Sequence, residues 1–454
     1  MSEHKQNMKP QSIKQSVKLD ATDRGALKYI RQKRDIADRY EIANVLGVSY
    51  PTLIRSLAKL TSEKYIDGKK LAISTERKSV FWGVSIGTSH VKICLIDLAF
   101  QLVDRGVFYK YFDISKAGES FQPKDLTTSE DETDSYQIAK KYLCYETPKT
   151  YDDFRVMLNW ILESVLAFSH QEGTEFITSG VGIAFSGAVD KTNSILKKVI
   201  SIKYLEDVSL KQVIAPDIYA ALENLDIPLV FDHNAKAAAV AEKESAYNRS
   251  DVSARNMLCL YLGTGIGAGM ILDNRLYTGA ANFAGEISHF PIFFSSTSGN
   301  SIEAVFAEFR DSQEPPICTC GSINCLECYV RILDNYLSAN SDQKKETAHD
   351  DVTVSKMQRA YKLLGQLIGY TITAMVNILN IDTVVCTGRL TKYYSSIERH
   401  IQDQMAKNGV SYTRNCCKVI NSFHEKLAPS VGIAIESYYA SIGESLDWNI
   451  VARA

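Results

Sequence analysis

The chain has 454 residues, room for about two to four domains and a large core. Hydrophobic residues make up 45% and charged residues 23%, an ordinary soluble composition; no apolar run approaches the roughly 18 residues of a membrane helix and the polar N-terminus lacks a signal-peptide core, so membrane insertion and secretion are not expected. The net charge of −2 hides an asymmetry: residues 1–78 carry 17 Lys and Arg against 9 Asp and Glu, so only this head suits a polyanion.

Residues 1–20 read as a flexible polar tail, and residues 21–78 as a winged helix-turn-helix. Leu27, Ile30, Ile36, Ile42, Val45 and Leu46 are apolar anchors at helical spacing. The helix Tyr40–Leu46 ends at Gly47, and Ser49 caps a further helix starting at Tyr50, where Pro51 is tolerated in the first turn. Leu53, Leu57 and Leu60 form the inner stripe of that helix, with Tyr50, Thr52, Arg55 and Lys59 away from it. Asp67-Gly68-Lys69-Lys70, between Tyr65-Ile66 and Leu71-Ala72-Ile73, predicts a hairpin wing tipped by two lysines suited to phosphate. Spacing, cap, wing and charge together predict binding of operator DNA through Tyr50, Thr52, Arg55, Lys59, Lys69 and Lys70, with Arg55 either on a base edge or on phosphate. The plainer alternative is a small helical protein-binding module with a solvated basic face.

Beyond Lys78 the pattern changes to β/α alternation. Val80–Ser89 leads into Val91–Asp97, a hairpin whose Gly87-Thr88 turn has the form that wraps a phosphate in actin-like ATPases. Residues 113–150, with the acidic run 127–135, read as an exposed insertion. Phe154, Met157, Leu158, Ile161, Leu162 and Val165 mark a helix over about 151–170. Gly180–Asp190 is a buried strand turning sharply, and Leu229–His233 is a strand entering an alanine-rich helix. Met257–Gly269 is a second glycine-rich hairpin whose glycines permit close backbone approach to a ligand. Val431, Ile433, Ile435 and Tyr438 lie on a last helix that packs on the body. Two glycine-rich hairpins on a duplicated β/α pattern predict an α/β fold class: a winged helix-turn-helix, then a two-lobed actin-like (ribonuclease H-like) fold with lobes expected at 79–232 plus 430–454 and at 233–429.

Ten cysteines without a secretory signal predict a reducing, cytoplasmic setting. Cys94, Cys144, Cys259, Cys386, Cys416 and Cys417 are scattered and read as buried thiols. Cys318, Cys320, Cys325 and Cys328 crowd into one loop with Gly321, a pattern for zinc rather than for disulfides.

These segments together resemble the ROK family of repressors and sugar kinases, from about residue 24 to the C-terminus. The winged head makes the chain similar to the family's xylose- and N-acetylglucosamine-type repressors. The specific pieces are Gly285-Glu286-Ile287-Ser288-His289 and Cys318-Thr319-Cys320-Gly321 through Cys325-Leu326-Glu327. The resemblance implies that His289, Cys318, Cys320 and Cys325 hold one structural zinc, although four cysteines with Cys328 in place of His289 would also serve. It implies that Glu286, His289 and Glu327 hydrogen-bond a sugar, His289 through the ring nitrogen not used by the metal; an ion pair or helix cap is the plainer role for either glutamate. Matching Ala237-Ala238-Ala239 and Glu242 to the family's helix places His233-Asn234 at the Asn-Asp pair whose Asp is the kinase base. An Asn amide cannot accept that proton. A register shifted by two would offer Asp232 instead. Ser85 stands where the kinases carry a carboxylate, and Gly388-Arg389 replaces the glycine cluster of the adenosine site. The resemblance therefore implies a non-catalytic regulator: a homodimer or homotetramer that binds operator DNA and a sugar, with His233 and Asn234 among the sugar contacts; the alternatives are an active ATP-dependent sugar kinase carrying a DNA-binding head, or a regulator controlled by a sugar-transport protein instead of free sugar.

Overall fold

The computed structural model describes residues 18–33, 37–113, 140–169, 175–198, 202, 204–247, 252–263, 265–292, 305–309, 317–318, 320–341 and 351–449; Ile36, the acidic run 127–135 and Thr264 lie outside them.

The head has three helices, α1 (Ala21–Lys33), α2 (Arg39–Leu46) and α3 (Tyr50–Ser62). Asp38 caps α2 by accepting from the Tyr40 and Glu41 N–H groups, and Gly47 ends it in the left-handed region at φ 63°. Ser49 Oγ accepts the Thr52 N–H at the start of α3, and Leu53, Leu57 and Leu60 are buried beneath it. Asp20 and Asp23 exchange backbone–carboxylate bonds at the start of α1. The buried Asp23 carboxylate also takes Ser56 Oγ and Lys59 Nζ of α3, each at 2.5 Å. Lys59 therefore differs from the other proposed DNA contacts: a buried carboxylate 36 residues away draws its ammonium inward.

The wing pairs β1 (Ile66–Asp67) with β2 (Ala72–Ile73) in antiparallel register. Its turn is longer than the two-residue Asp-Gly type. The Asp67 carboxylate accepts the Lys69 and Lys70 N–H groups, and the left-handed position falls on Leu71 (φ 51°), whose buried side chain anchors it, rather than on Gly68.

The body holds two five-stranded sheets of one plan. The first contains β3 (Ser79–Ile86), β4 (His90–Asp97), β5 (Tyr142–Glu146) and β6 (Ile177–Phe185). A small antiparallel sheet follows, of β7 (Ala188–Asp190), β8 (Ile195–Lys198) and β9 (Glu206–Ser209), and β10 (Leu229–His233) then completes the first in the order β10-β6-β3-β4-β5. The second sheet runs β13-β12-β11-β14-β15, from β11 (Met257–Leu262), β12 (Ile266–Leu272), β13 (Arg275–Tyr277), β14 (Thr383–Thr387) and β15 (Lys418–Asn421). Each sheet has an antiparallel hairpin with two parallel strands on one side and an antiparallel edge strand on the other. The insertion expected at 113–150 is shorter than supposed: Tyr142, Leu143, Cys144 and Tyr145 are buried in β5, an edge strand of the first sheet, and residues 114–139 lie outside the described ones.

Helix α4 (Tyr151–Ser169) covers the first sheet with α5 (Pro216–Asn224) beside it. The alanine-rich helix α6 (Asn234–Ala246) lies on the second sheet's hairpin. Helices α7 (Leu326–Ser341), α8 (Asp351–Leu379) and α9 (Tyr394–Asn408) pack against the other face of that sheet, in the core of Leu333, Leu364, Ile368 and Ile401. Over Thr353–Leu379, α8 is long and apolar enough to cross a membrane, but Leu364, Leu367, Ile372 and Val376 are buried in that core. The last helix, α10 (Ala428–Ser441), crosses α6 between the sheets, so close that a Cβ on Gly432 would meet the Ala237 carbonyl at 1.6 Å. Cys94, Cys144, Cys259 and Cys386 are buried, whereas Cys416 is exposed and Cys417 half-buried at the polar end of the 411–417 turn.

α10 and the segment after it join body to head. The Arg31 guanidinium of α1 lies over the rings of Phe100 (3.8 Å) and Tyr438 (4.7 Å) and donates to the Leu98 carbonyl at 2.8 Å. Arg24 pairs with Glu444 at 2.7 Å, and Gln32 donates to the Trp448 carbonyl. The last helix thus packs on the body as expected, and on the head as well.

Glu242, fully buried on α6, accepts Ser422 Oγ (2.5 Å) and the Phe423 N–H (3.0 Å), and burial pushes its carboxyl up to about 7. A carboxyl raised on folding is a cost that grows as pH climbs from its unfolded value to its folded one. Wild type is therefore expected to lose roughly 3 kcal/mol relative to Glu242→Gln between about pH 4.5 and 7, as urea unfolding at a series of pH values would measure.

Candidate functional site

A cleft of about 370 Å³ opens between the sheets. The β3–β4 turn (Gly87, Thr88, Ser89), Ser186-Gly187 after β6 and the start of α6 line one side; Gly263, Gly265 and Gly267, the 283–289 segment, Glu327 and Arg389 line the other. It gathers all five predicted sugar contacts, His233, Asn234, Glu286, His289 and Glu327, from three separate stretches of chain.

His233 is the N-cap of α6. Its Nδ1 accepts the Ala235 N–H at 3.2 Å, and burial pushes its pKa down, so the neutral ring keeps its proton on Nε2 as a donor. Glu327 sits in the first turn of α7, nearly buried, and burial raises its carboxyl. It faces Gly265, where a Cβ would stand 3.8 Å from its oxygen. Glu286 is more open and lies 3.9 Å from His289 Nε2.

His289 closes the short helical turn Ile287–His289, which Gly285 makes possible: its φ is 105°, and a Cβ there would meet the Ala268 carbonyl at 2.0 Å. The ring has two faces. Nδ1 stands 3.5 Å from Cys318 Sγ, while Nε2 is buried and, among the described residues, has no hydrogen-bond partner. The ligand atoms of His289, Cys318, Cys320 and Cys325 all lie within 4.8 Å of one another, and Cys320 Sγ is 3.7 Å from Cys325 Sγ. A tetrahedral ion with metal–sulfur bonds of about 2.3 Å and a metal–nitrogen bond of about 2.0 Å has donor–donor edges of about 3.7 and 3.5 Å, so the donor set fits a four-coordinate metal. Cys328 is buried against Cys318 and Cys325.

Several residues behave differently from expectation. Asn234 reaches the cleft wall, but its amide is spent on Ser186, 2.9 Å away, tying α6 to the end of β6. Asp232, the alternative base, does not line the cleft: it is wholly buried, accepts the His233 N–H and pairs with Lys191. Ser85 is buried too, donating nothing to the cleft and bonded to Ser430 of α10 at 2.8 Å. Gly269 admits α6 rather than a ligand, since a Cβ there would stand 2.3 Å from the Ala235 carbonyl, whereas Gly267 lines the cleft and also leaves room for the Ala235 side chain, 2.9 Å from where its own Cβ would stand.

Two cations line the cleft: Lys92, which the sequence reading missed, and Arg389, which it read only as a bulky replacement in the adenosine-site glycine cluster. Lys92 donates to the Lys426 carbonyl at 3.0 Å, and burial lowers its pKa to about 8. Arg389 grips Asp334 through both guanidinium nitrogens. The strand alternation of β4 could have indicated Lys92 as an inward cation; the Arg389–Asp334 pair, 55 residues apart, leaves no local signal.

On the head, Thr52 Oγ1 bonds Ser49 Oγ (2.8 Å) and lies 3.4 Å from the exposed Arg55 guanidinium. Lys69 and Lys70 are exposed on the wing, and Tyr50 is half-exposed at the start of α3.

A model of the ROK family matches residues 133–436. The xylose repressor of Bacillus subtilis (strain 168) is 24% identical over 261 residues, which are 56% of this chain and 60% of that protein. The chain thus spans about half to 60% of the length of the curated repressors it matches. A glucokinase of Halalkalibacterium halodurans is 21% identical over 306 residues, 62% of this chain and 81% of that one. Among solved structures, a ROK family transcriptional regulator described as a homolog of the E. coli MLC protein superposes with a TM-score of 0.62 at 15% identity, covering 92% of this chain and 96% of its own. A ROK family glucokinase from Streptomyces griseus, in complex with glucose and AMPPNP, gives 0.51 at 16% identity, covering 79% and 98%. At such identities the likeness is one of fold.

Proposed function

This chain belongs to the ROK family, and on that premise we propose that it is a sugar-responsive DNA-binding transcriptional regulator, a repressor of carbohydrate-utilisation genes, whose body senses its ligand without catalysis. The observation that carries the reading is His289, which turns one nitrogen to the thiols and keeps the other, without a hydrogen bond among the described residues, beside Glu286 at the cleft. In this reading residues 21–78 are the DNA-binding unit, and 79–232 with 430–454 and 233–429 are the two lobes.

The metal is zinc, held by His289, Cys318, Cys320 and Cys325; with four protein ligands it supplies a structural anchor and no open coordination position. His289 Nε2 and His233 Nε2 donate to sugar hydroxyls, while Glu286 and Glu327 accept from them. Asn234 holds the start of α6 in place through Ser186. Sugar draws the lobes together, and because α1 is packed on α10 and the 442–449 segment, the lobe movement resets the spacing of two heads in a homodimer or homotetramer. Hydrogen bonds to a charged group are worth about 1.5–3 kcal/mol, so Glu327→Gln is expected to weaken sugar binding by roughly 10- to 100-fold by calorimetry, with zinc content unchanged.

The glucokinase relatives favour one rival, an active sugar kinase with a DNA-binding head. A kinase needs a general base on the sugar hydroxyl. The residues at the start of α6 argue against one: the Asn234 amide cannot accept a proton, and Asp232 faces Lys191. A coupled assay of ATP consumption over a panel of hexoses and pentoses tests the reading. No sugar-dependent turnover is expected, and a kcat of about 1 s⁻¹ or more would establish the kinase instead.

A further inference from the structure

Tyr40 opens the first turn of α2 with 65% of its surface exposed, unusual for so large a ring. One face of the ring is covered. It stacks on Tyr50, the first residue of α3, with centroids 4.6 Å apart and planes 17° from parallel. Ile54, one turn further along α3, is also exposed. The two helices of the motif thus present a continuous apolar ridge of Tyr40, Tyr50 and Ile54 beside the exposed Arg55. The preceding residue of α2, Arg39, donates to the Gly68 carbonyl at 2.8 Å and fixes the lysine-tipped wing to the same corner of the head.

The two acids nearest Tyr40 are both turned to other partners. Asp38 is occupied with the Tyr40 and Glu41 N–H groups, and Glu41 faces Lys33 at 3.6 Å. The hydroxyl of Tyr40 makes no hydrogen bond among the described residues. In a helix-turn-helix the first helix crosses the sugar–phosphate backbone while the N-terminal residues of the second meet base edges. An exposed phenol at the start of the first helix, stacked on the first residue of the second, joins those two tasks.

We propose that Tyr40 and Tyr50 act as one DNA-reading element: the Tyr40 hydroxyl donates to a backbone phosphate, while its ring holds Tyr50 rigid as an apolar reader of a base edge such as a thymine methyl. Stacking of this kind is worth about 0.5–1.5 kcal/mol and fixes the Tyr50 ring before DNA arrives. The phosphate bond sets register and carries no sequence information of its own. Removing the hydroxyl therefore weakens all duplexes alike, and removing the ring also relaxes sequence choice at one position.

The inference rests on the head binding DNA, and the experiment separates the two. The full-length zinc-loaded chain is used to select duplexes from a random pool, and the best is titrated by fluorescence anisotropy with wild type, Tyr40→Phe and Tyr40→Ala, alongside duplexes changed at each position in turn. Thermal unfolding confirms that the variants fold, as expected for so exposed a residue. Tyr40→Phe is expected to bind every duplex about three- to tenfold more weakly, with the order of preference intact. Tyr40→Ala is expected to lose about tenfold or more on the best duplex and to flatten the preference at one base pair. If wild type selects no duplex, the DNA-binding reading itself fails. If wild type selects and Tyr40→Phe matches it, the phosphate contact is overturned; if Tyr40→Ala keeps both affinity and preference, the paired element is overturned.

Discussion

A Cys325→Ala chain is expected to carry no zinc, to lose its response to sugar and to keep its DNA-binding head. Cys325 is buried within the donor set, with its sulfur 3.7 Å from that of Cys320 and its N-terminal neighbour accepting the Ile292 N–H that ties the loop to the His289 segment. Structural zinc sites of this type contribute apparent binding free energies of about 10–16 kcal/mol, so a three-ligand remnant loses most of the anchoring. The 286–291 and 317–328 segments, which pair through Pro291 and Cys325, then separate, and His289 and Glu327 lose their relative position in the cleft. The head packs elsewhere, on Phe100, Tyr438 and the 442–449 segment, and its helices do not depend on the loop. Zinc content per chain by mass spectrometry and sugar binding by calorimetry check the prediction, with Cys416→Ala as the exposed-thiol control that keeps both. One zinc per chain in the Cys325→Ala protein would remove this cysteine from the ligand set.

Lys191→Met is expected to cost about 3–5 kcal/mol of stability, the usual result of leaving a buried charge without its counter-ion. Lys191 sets its ammonium on two carboxylates at once, Asp232 and Glu436, both nearly or wholly buried, with the second at 3.0 Å. Without it they must either ionise in apolar surroundings or hold protons. The Asp232 carboxyl, which Lys191 keeps low against the pull of its burial, then rises, and that of Glu436, already raised by burial to about 8, rises further, so the variant's deficit grows as pH climbs and shrinks in acid. Adding Glu436→Gln removes one of the two stranded charges and is expected to restore part of the loss. The effect reaches the site because Asp232 also accepts the His233 N–H and so fixes the residue that begins α6 at the cleft wall. Urea unfolding of wild type, single and double variants at pH 6 and pH 8 measures it. A loss below about 1 kcal/mol in the single variant, or no dependence on pH, would show that the triad is not held by this lysine.

What was legible in the sequence was mostly local. Ser49, Pro51 and Gly47 state the helix-turn-helix boundaries because caps and left-handed turns act within one helical turn. The cleft residues Glu286, His289 and Glu327 were legible through the motifs that hold them. Contacts between distant segments were not. Nothing around Lys59 indicates that Asp23 lies beneath it, and nothing around Asp334 points to Arg389. The glycines of 263–269 illustrate a different limit: the absence of a side chain says that something approaches closely, but not whether it is a ligand, as lining the cleft at Gly265 allows, or helix α6, as at Gly269. β5 was hidden by its polar and acidic approach, which masks five residues that complete a sheet edge.

The central claim is that cleft occupancy and DNA affinity are linked. Its most direct test is anisotropy titration of the zinc-loaded full-length chain onto a duplex it has selected, with and without saturating amounts of each sugar in a panel of pentoses, hexoses and their N-acetyl and phosphate derivatives. At least one sugar is expected to lower DNA affinity by roughly 5- to 150-fold, the ordinary range of allosteric coupling, and Glu327→Gln should require far more of it for the same effect. A sugar that binds the cleft while leaving DNA affinity unchanged, or a panel in which none alters it, would contradict the account.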